Sequence, residues 1–400
     1  MASEITGAEL VAHALKDLGI SVIFGLTGYP ITAIAEAAIN LGIKFIGFRN
    51  EQAASYAATA YGYLTGRPGC CMVVGGPGVI HAMAGVVNSS GNCFPMLLLA
   101  GSSETYLVTR GTFQELDAVS MLSPHVKTAI RWTNKHDVQD PIRKAYRMSW
   151  YGAPPGTGYV DLPGDLLQAK TKPSTTTRLR LLTPPPAYAA DSTRVFKIAQ
   201  AILNAKAPLV LMGKGCAYAR AEKVIRQLIG VTKLPFLPSP MGKGVVPDSH
   251  RCNVSSARST ALRNADVVLV LGARLNWIFH FGMAPKFSPT ARIIQVNVDA
   301  SEIGNNSGDP ELGVVADVNI FAQQLLSELS AFEYPENTLF WQQLLKEKAR
   351  NEDKQAKLAQ MQIQPLKIET AFHRMQTTLN RLSPPENGGI VYIAEGARTM

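Results

Sequence analysis

The sequence has little charge and no long hydrophobic run. Charged residues make up 17% of its 400 positions and hydrophobic residues 46%, a balance that allows a large buried core and excludes extensive disorder. No apolar run reaches the roughly 18 residues of a membrane-spanning helix. The start, MASEITGAEL, lacks the basic-then-apolar pattern of a secretion signal. The sequence therefore predicts a soluble protein without a membrane span.

Clusters of basic residues and of cysteines are also missing. The formal net charge is +9, but the basic residues are scattered and form no run of five or more. We therefore predict no nucleic-acid partner, and the excess fits a pocket for an anionic small molecule or a generally basic surface. The five cysteines are an odd number without the paired spacing of a metal site. They indicate reduced thiols in an intracellular compartment, and no metal ligand is predicted.

The common phosphate-binding motifs are absent as well. No GxxxxGK[ST] occurs, and the GGPG at 75–78 does not extend to GxGxxG. A P-loop or a dinucleotide-binding fingerprint is therefore poorly supported. What GGPG does offer is glycine, which lets a backbone approach a ligand closely.

What the sequence does contain is a regular alternation of apolar strands and amphipathic helices. Residues 7–18 have helical spacing, SVIFGL follows as a strand, and the same succession recurs along the chain. This alternation predicts an α/β protein with two doubly wound parallel-sheet domains and the start of a third. Such sheets bind ligands at the carboxyl ends of their strands, where the first domain places the loops GLTGYP, FRNEQ, GGPGV and GSSETY.

Changes in composition divide the chain. A segment rich in Thr and Pro separates the two α/β series, and a charged helical segment precedes the third. The predicted divisions are a first domain at 1–170, a linker at 171–190, a central domain at 191–330, a connecting helix at 331–365, and at 366–400 the opening of a third domain with the strand GIVYIAEG.

Glu51 is the only acidic residue between Glu36 and Glu104. One interpretation is structural, with Asn50 as helix N-cap and an acid facing the helix dipole. The other is chemical, because a carboxyl group in apolar surroundings can share a proton with a ligand nitrogen. The neighbouring residues alone leave both interpretations open.

Several long stretches, taken together, resemble thiamine-diphosphate enzymes. In order and spacing, the pyrimidine-binding domain of that family is similar to FGLTGYP, FRNEQAASYAA, GGPGVIHA and NCFPMLLLAGSSE. One branch, the 2-hydroxyacyl-CoA lyases and oxalyl-CoA decarboxylases, has a central domain similar to FLPSPMGKGVVPD and LGARLNWIFHFG. The resemblance covers essentially the whole chain.

The resemblance implies a role for Glu51. In this family the matching glutamate hydrogen-bonds the aminopyrimidine ring of thiamine diphosphate and stabilises the imino tautomer that generates the nucleophilic ylide. The protein supplies tautomer control and a dry site. The resemblance further implies that the cofactor-binding residues are Gly28, Tyr29, Glu51, Pro77 and Gly78.

The loop GTFQELD, at 111–117, favours the lyases within this branch. Oxalyl-CoA decarboxylases tend to have Tyr-Glu at the positions of Phe113 and Gln114. Gln114 is then expected beside the cofactor and the acyl group as a neutral donor and acceptor, and with Glu51 it forms the predicted catalytic pair. The implied reaction cleaves a 2-hydroxyacyl-CoA to formyl-CoA and an aldehyde one carbon shorter.

The central domain is expected to hold the nucleotide of an acyl-CoA substrate. Fixed cations suit its phosphates, and arginine can also stack on adenine. The resemblance points to Lys214, Arg258, Arg274 and Asn297. Asn297 departs from the family, which usually has an acid there, and so do Ala153 and Arg398, where the family has arginine and asparagine.

The chain is expected to lack most of a C-terminal domain that in this family binds Mg²⁺ and the diphosphate, and so to be inactive by itself. A homodimer or homotetramer is implied, in a peroxisome if the full-length protein has a C-terminal signal and otherwise in the cytoplasm. Two alternatives stay open: an oxalyl-CoA decarboxylase, and a non-catalytic acyl-CoA-binding or regulatory subunit.

Overall fold

A computed structural model describes residues 4–171, 180–384 and 389–390. The chain divides into two compact units, Met1–Pro186 and Ala187–Met400. Each unit is built around its own parallel sheet with helices packed on it, so the predicted α/β class with two parallel-sheet domains is confirmed.

The first unit alternates strands and helices from its start. Its strands are β1 (Ile5–Thr6), β2 (Val22–Gly25), β3 (Lys44–Gly47), β4 (Gly69–Val73), β5 (Met96–Ser102), β6 (Thr128–Arg131), β7 (Thr157–Pro163) and β8 (Lys170–Thr171). Its helices are α1 (Gly7–Asp17), α2 (Thr32–Asn40), α3 (Glu51–Thr65), α4 (Pro77–Asn92), α5 (Ala118–Leu122), α6 (Gln139–Tyr151) and α7 (Gly164–Gln168). The main sheet has the parallel order β3-β2-β4-β5-β7-β6, and β1 pairs with β8 in a separate antiparallel ribbon.

Local sequence explains where these elements begin and why the central strands are apolar throughout. Helix α1 starts with a capping box, in which Thr6 and Glu9 bond each other's backbone N–H groups. Strands β4 and β5 are buried at every residue because helices cover both faces of the sheet. Two apolar cores result, one on each face.

The second unit repeats this design. Its strands are β9 (Pro208–Met212), β10 (Phe236–Pro238), β11 (Val267–Leu271), β12 (Arg292–Asn297) and β13 (Val314–Val315). Its helices are α8 (Ser192–Leu203), α9 (Lys214–Tyr218), α10 (Glu222–Thr232), α11 (Arg258–Asn264), α12 (Val318–Glu328), α13 (Leu339–Ala359) and α14 (Ile368–Leu382). The parallel order is β10-β9-β11-β12-β13.

In each sheet, the direction in which successive strands are added reverses at one point. The candidate sites lie at these two points. In the first unit the chain goes from β2 outward to β3 and then returns to β4 on the other side of β2. In the second unit β9, β10 and β11 follow the same path. The loops after β2 and β4, and those after β9 and β11, therefore border a crevice of the kind that binds ligands in open α/β sheets.

Two features of the sheets differ from the pattern in the sequence. Strand β6 was not predicted; it is a short edge strand, half-exposed at every residue, so its apolar signal is weak. The stretch GYVDLPGD at 158–165 is predicted from the sequence as the closing strand of this domain, but it forms most of β7 and lies one place inside that edge. The predicted strand GIVYIAEG lies almost wholly outside the described residues. Within the described ranges, no helix is both long and apolar enough for a membrane crossing.

Candidate active site

Glu51 stands at the N-terminus of α3, just beyond the carboxyl end of β3. The Asn50 side chain caps this helix by accepting a hydrogen bond from the Gln52 backbone N–H at 2.8 Å. The predicted N-cap is therefore present, and it fixes the position of Glu51 at the start of the helix. The Glu51 side chain is only 13% exposed. The structural and the chemical interpretation of Glu51 are thus compatible.

The carboxylate of Glu51 lies near enough to β4 for its charge to act on Cys71. Burial raises the pKa of the Cys71 thiol far above its usual range, and the neighbouring Cys70 thiol and the Glu51 charge raise it further. Cys71 is therefore a protonated core thiol and a poor nucleophile. The partner that the structure assigns to the Glu51 carboxylate is the imidazole of His81.

The turn between β4 and α4 has two positions, 76 and 78, at which a side chain would collide with its surroundings. Gly76 has φ +54° and ψ −115°, a conformation that residues with a Cβ atom rarely adopt. A Cβ at position 76 would lie 2.7 Å from the Gln114 carbonyl oxygen, and one at Gly78 would lie 2.7 Å from the Val74 side chain. Pro77 occupies the first position of α4, where no backbone N–H is required.

The same turn brings the two predicted catalytic residues to one place. On one side Gly76 abuts the backbone of Gln114. On the other side the Glu51 Oε1 atom lies 3.7 Å from where a Cβ of Gly78 would stand. Because Gly76 and Gly78 have no side chains, the surface between Glu51 and Gln114 is formed by the backbone of the turn.

Gln114 belongs to a tightly wound loop. Gln114 itself has φ +56°, and Thr109 and Gly111 are also left-handed. The Glu115 carboxylate holds this loop by accepting backbone N–H groups from Thr109, Gly111 and Thr112, which lower its pKa. Phe113 is 71% exposed beside Gln114. A strained, internally bonded loop is a common way to present a functional side chain.

Tyr29 and Gly28 follow β2 at the same edge of the sheet. A Cβ at Gly28 would lie 2.6 Å from Val74, so this glycine lets the β2 loop pack on the β4 turn. The Tyr29 hydroxyl donates a hydrogen bond to the Glu104 carboxylate, which raises the phenol pKa. Tyr29 therefore links the loops after β2 and β5.

A buried ion pair supports the loop that carries Glu104. Arg131 and Asp161 are paired in register on β6 and β7, with Nη1 3.1 Å from Oδ2. Asp161 also accepts from the Ser102 hydroxyl, while Arg131 donates to the Ser103 carbonyl. Burial raises the Asp161 pKa and the Arg131 charge opposes that rise. Sequence reasoning missed this pair because the two residues are 30 positions apart and β6 was not predicted.

His81 is a further residue near Glu51 that the sequence analysis did not single out. Its Nδ1 atom lies 3.1 Å from the Glu51 Oε2 atom. The only signal was spacing: His81 follows Gly78 by three residues, which places both on one face of α4.

In the second unit, three of the four predicted nucleotide-binding residues lie at the carboxyl edge of the sheet. Lys214 follows β9, Arg274 follows β11, and Asn297 ends β12. The strands are in register there, with Leu271 beside Met212 and Val296. Gly213 and Gly215 each abut Gly272, so the loops of β9 and β11 are in close contact at the winding reversal.

The cations of this group have protein partners. The Arg274 Nε atom lies 2.9 Å from a Glu302 carboxylate oxygen. Arg258 donates from Nη2 to the Ile278 carbonyl at 2.6 Å, and its guanidinium lies 5.0 Å from the Phe279 ring centroid. Arg258 thus stabilises the loop after β11 through these two contacts. Its role in nucleotide binding stays a prediction.

The residues after β2, β3 and β4 suit the aminopyrimidine end of thiamine diphosphate. That ring needs a carboxyl oxygen for a ring nitrogen, backbone polar groups for its amino group, and apolar contacts for its faces. Glu51, the glycine turn and the Val74 side chain offer these in one place. A diphosphate needs cations or a metal, and in the described ranges no group of three acidic, His or Cys side chains has metal-binding geometry.

Comparisons with known proteins identify the family. Residues 5–121 match the model "Thiamine pyrophosphate enzyme, N-terminal TPP binding domain", and residues 195–325 match the model "Thiamine pyrophosphate enzyme, central domain". Together with the relatives below, these matches show that the chain belongs to the thiamine pyrophosphate (thiamine diphosphate) enzyme family.

The relatives place the chain in one branch of that family. It is 43% identical over 399 residues to human "2-hydroxyacyl-CoA lyase 1", covering 99% of this chain and 68% of the relative. It is 36% identical over 407 residues to "2-hydroxyacyl-CoA lyase" of Arabidopsis thaliana, covering 99% and 69%. It is 35% identical over 401 residues to "Oxalyl-CoA decarboxylase" of Escherichia coli K12, covering 98% and 69%. The chain thus spans about two thirds of these relatives, and the predicted resemblance is confirmed.

Proposed function

We propose that this protein is a carbon–carbon lyase that cleaves a 2-hydroxyacyl-CoA to formyl-CoA and an aldehyde one carbon shorter. Atoms balance without an oxidant, because the hydroxyl carbon becomes the aldehyde and its former neighbour, the thioester carbonyl carbon, gains a hydrogen. The observation that carries the proposal is the mostly buried Glu51 side chain at the Gly75–Gly78 turn, in a chain 43% identical to a human 2-hydroxyacyl-CoA lyase.

The residues of the first unit have separable tasks in this proposal. Thiamine diphosphate, when bound, supplies a nucleophilic carbon that adds to a carbonyl group and accepts the electrons of the bond that breaks. Glu51 holds a proton between its Oε1 atom and a ring nitrogen of the pyrimidine. The Gly76–Gly78 backbone lets the ring lie against the turn. Gln114 offers a neutral donor and acceptor beside the reacting acyl group.

The second unit is proposed to bind the nucleotide part of the acyl-CoA. Lys214 and Arg274 flank the winding reversal of its sheet, and Asn297 lies at the next strand end. This arrangement supports an anionic ligand at that edge. Arg258 is included in the proposal from the family pattern only, because its guanidinium already bonds Ile278 and covers Phe279.

A magnesium ion, a homodimer or homotetramer, and a peroxisomal or otherwise cytoplasmic location belong to the same proposal. They derive from the resemblance to the family. Light scattering on the purified chain measures the oligomeric state directly.

The first test is a Glu51→Gln variant of the protein as its source makes it, assayed with thiamine diphosphate, MgCl2 and a long-chain 2-hydroxyacyl-CoA, with formyl-CoA and aldehyde measured by mass spectrometry. Glutamine keeps the shape but cannot hold the proton, so we expect turnover to fall by about 100-fold or more. The matched control is Glu36→Gln, an exposed acid on α2, which should stay within about twofold. Unchanged turnover in Glu51→Gln would contradict the role of Glu51.

Two alternatives are separated by the same assay. The 35% identity to an oxalyl-CoA decarboxylase is the observation that favours the first alternative. Direct competition between oxalyl-CoA and the 2-hydroxyacyl-CoA decides it, since a decarboxylase consumes oxalyl-CoA first and releases CO2. If the protein, as its source makes it, turns over neither substrate but binds CoA in a calorimetric titration, it is a non-catalytic subunit.

A further inference from the structure

His81 makes a contact with Glu51 that none of the roles described above requires. Its Nδ1 atom is 3.1 Å from Glu51 Oε2, in a pair whose side chains are 57% and 13% exposed respectively. The imidazole therefore reaches from the solvent side onto a carboxylate that is mostly enclosed. A nitrogen at this distance from a carboxylate oxygen bonds it only if the nitrogen carries the hydrogen.

The two oxygens of Glu51 face different positions of the same helix. Oε2 faces His81, and Oε1 lies 3.7 Å from where a Cβ of Gly78 would stand. Positions 78 and 81 are three residues apart on α4 and share a face. One oxygen is thus held by a side chain, and the other points to bare backbone at the glycine turn.

The helices that carry these residues are held close by small side chains. A Cβ at Gly85 would lie 2.2 Å from the Ser55 Oγ atom, one turn further along both helices from the Glu51–His81 pair. Another turn on, Asn88 donates to the Thr59 hydroxyl at 3.3 Å. Helices α3 and α4 therefore run side by side from their N-termini, and the His81–Glu51 distance is set by this packing.

We propose that His81 is a positioning residue: its Nδ1–H holds Oε2 of Glu51 so that Oε1 is directed to the pyrimidine nitrogen of the cofactor. The inference rests on the proposed function of Glu51. A carboxylate on a rotatable side chain can present either oxygen, and a charge-assisted hydrogen bond to one of them reduces that freedom. His81 itself touches neither cofactor nor substrate in this proposal.

The tautomer of His81 gives a test that does not depend on activity. A histidine side chain in water prefers its hydrogen on Nε2, whereas the hydrogen bond to Glu51 requires it on Nδ1. In ¹⁵N-histidine-labelled protein above the pH range where imidazole titrates, long-range ¹H–¹⁵N spectra should show His81 as the Nδ1–H form. Glu51→Ala should abolish that preference, and Glu51→Gln should keep it because the amide oxygen still accepts. An Nε2–H tautomer in the wild-type chain overturns the proposal.

Binding of thiamine diphosphate in the presence of MgCl2 gives the second test. His81→Leu keeps much of the volume but removes the donor, so the dissociation constant should rise about tenfold. His81→Asn places an amide nitrogen near the Nδ1 position and should stay within about threefold of wild type. The control is His13→Asn, an exposed histidine on α1, which should leave the dissociation constant unchanged.

The outcomes separate this inference from the proposed function. If the wild-type chain binds thiamine diphosphate, Glu51→Gln does not, and His81→Leu binds like wild type, the positioning role is wrong and the role of Glu51 stands. If the wild-type chain and Glu51→Gln bind it equally well, the role of Glu51 fails and the positioning role fails with it, whatever the His81 tautomer. If neither binds it, the His81 tautomer alone decides the positioning role.

Discussion

At the scale of single residues, the candidate site depends on backbone conformations that only certain residues adopt. Gly76 is the clearest case, since both its dihedral angles and its contact with Gln114 exclude a side chain. The turn is thus a structural requirement of the site, whatever ligand it accepts. The sequence singles out Glu51 and Gln114 as candidates, but it does not show that both lie against this turn.

Replacing Gly76 with alanine is therefore expected to be costly. The left-handed backbone costs an alanine about 1–3 kcal/mol, and the Cβ would lie 2.7 Å from the Gln114 carbonyl oxygen. We expect urea unfolding to show a loss of about 2–4 kcal/mol in the free energy of unfolding of the first unit. Gly91 on the same helix has no atom within 4 Å of its Cβ position, so Gly91→Ala should be neutral or stabilising by about 0.5–1 kcal/mol. Equal effects of the two variants would show that the turn is not constrained.

At the scale of elements, the pairing of β6 with β7 supports the loop after β5. Asp161 is almost completely buried and relies on Arg131 for charge compensation. Arg131 also holds the Ser103 carbonyl, next to Glu104 and its partner Tyr29. An edge strand that gave almost no sequence signal therefore anchors one border of the candidate site.

The Arg131→Gln variant is expected to show a pH-dependent loss of stability. Burial raises the Asp161 pKa above its unfolded value, so the stability linked to this carboxyl is present at low pH and is lost as the pH rises through the folded pKa. Removing Arg131 raises that pKa further. We expect a loss of about 3 kcal/mol at about pH 8 and a smaller loss at about pH 5, measured by urea unfolding. The exposed neighbour variant Lys144→Gln should show no such difference, and a pH-independent loss in Arg131→Gln would refute the charge-compensation account.

At the scale of the whole molecule, each unit has its own sheet and its own apolar cores. The cores of the first unit involve residues between Ile5 and Leu182, and the core of the second involves residues between Ala190 and Leu344. A unit with a complete core can fold alone. The predicted domain limits at 170, 190, 330 and 365 and the expected inactivity of the isolated chain both stay predictions.

We therefore expect fragments 1–186 and 187–400 to fold separately. Each should show a cooperative thermal transition by circular dichroism, and only the first should bind thiamine, which carries the pyrimidine without the diphosphate. Glu51→Gln in fragment 1–186 is the control, because it should fold normally and bind thiamine at least about tenfold more weakly. A fragment 1–186 without a cooperative transition would show that its cores are not sufficient.

The sequence by itself determined the features that depend on neighbouring residues. Alternating strands and helices identified the α/β class, glycines marked the turn at 75–78, and Asn50 with Glu51 marked a helix start. Only the tertiary structure decided which loops meet. His81 reaches Glu51, Gln114 abuts Gly76, and Arg274 pairs with Glu302 across separations of 28 to 38 residues. Such contacts follow from strand order and helix packing, which a local pattern of residues does not specify.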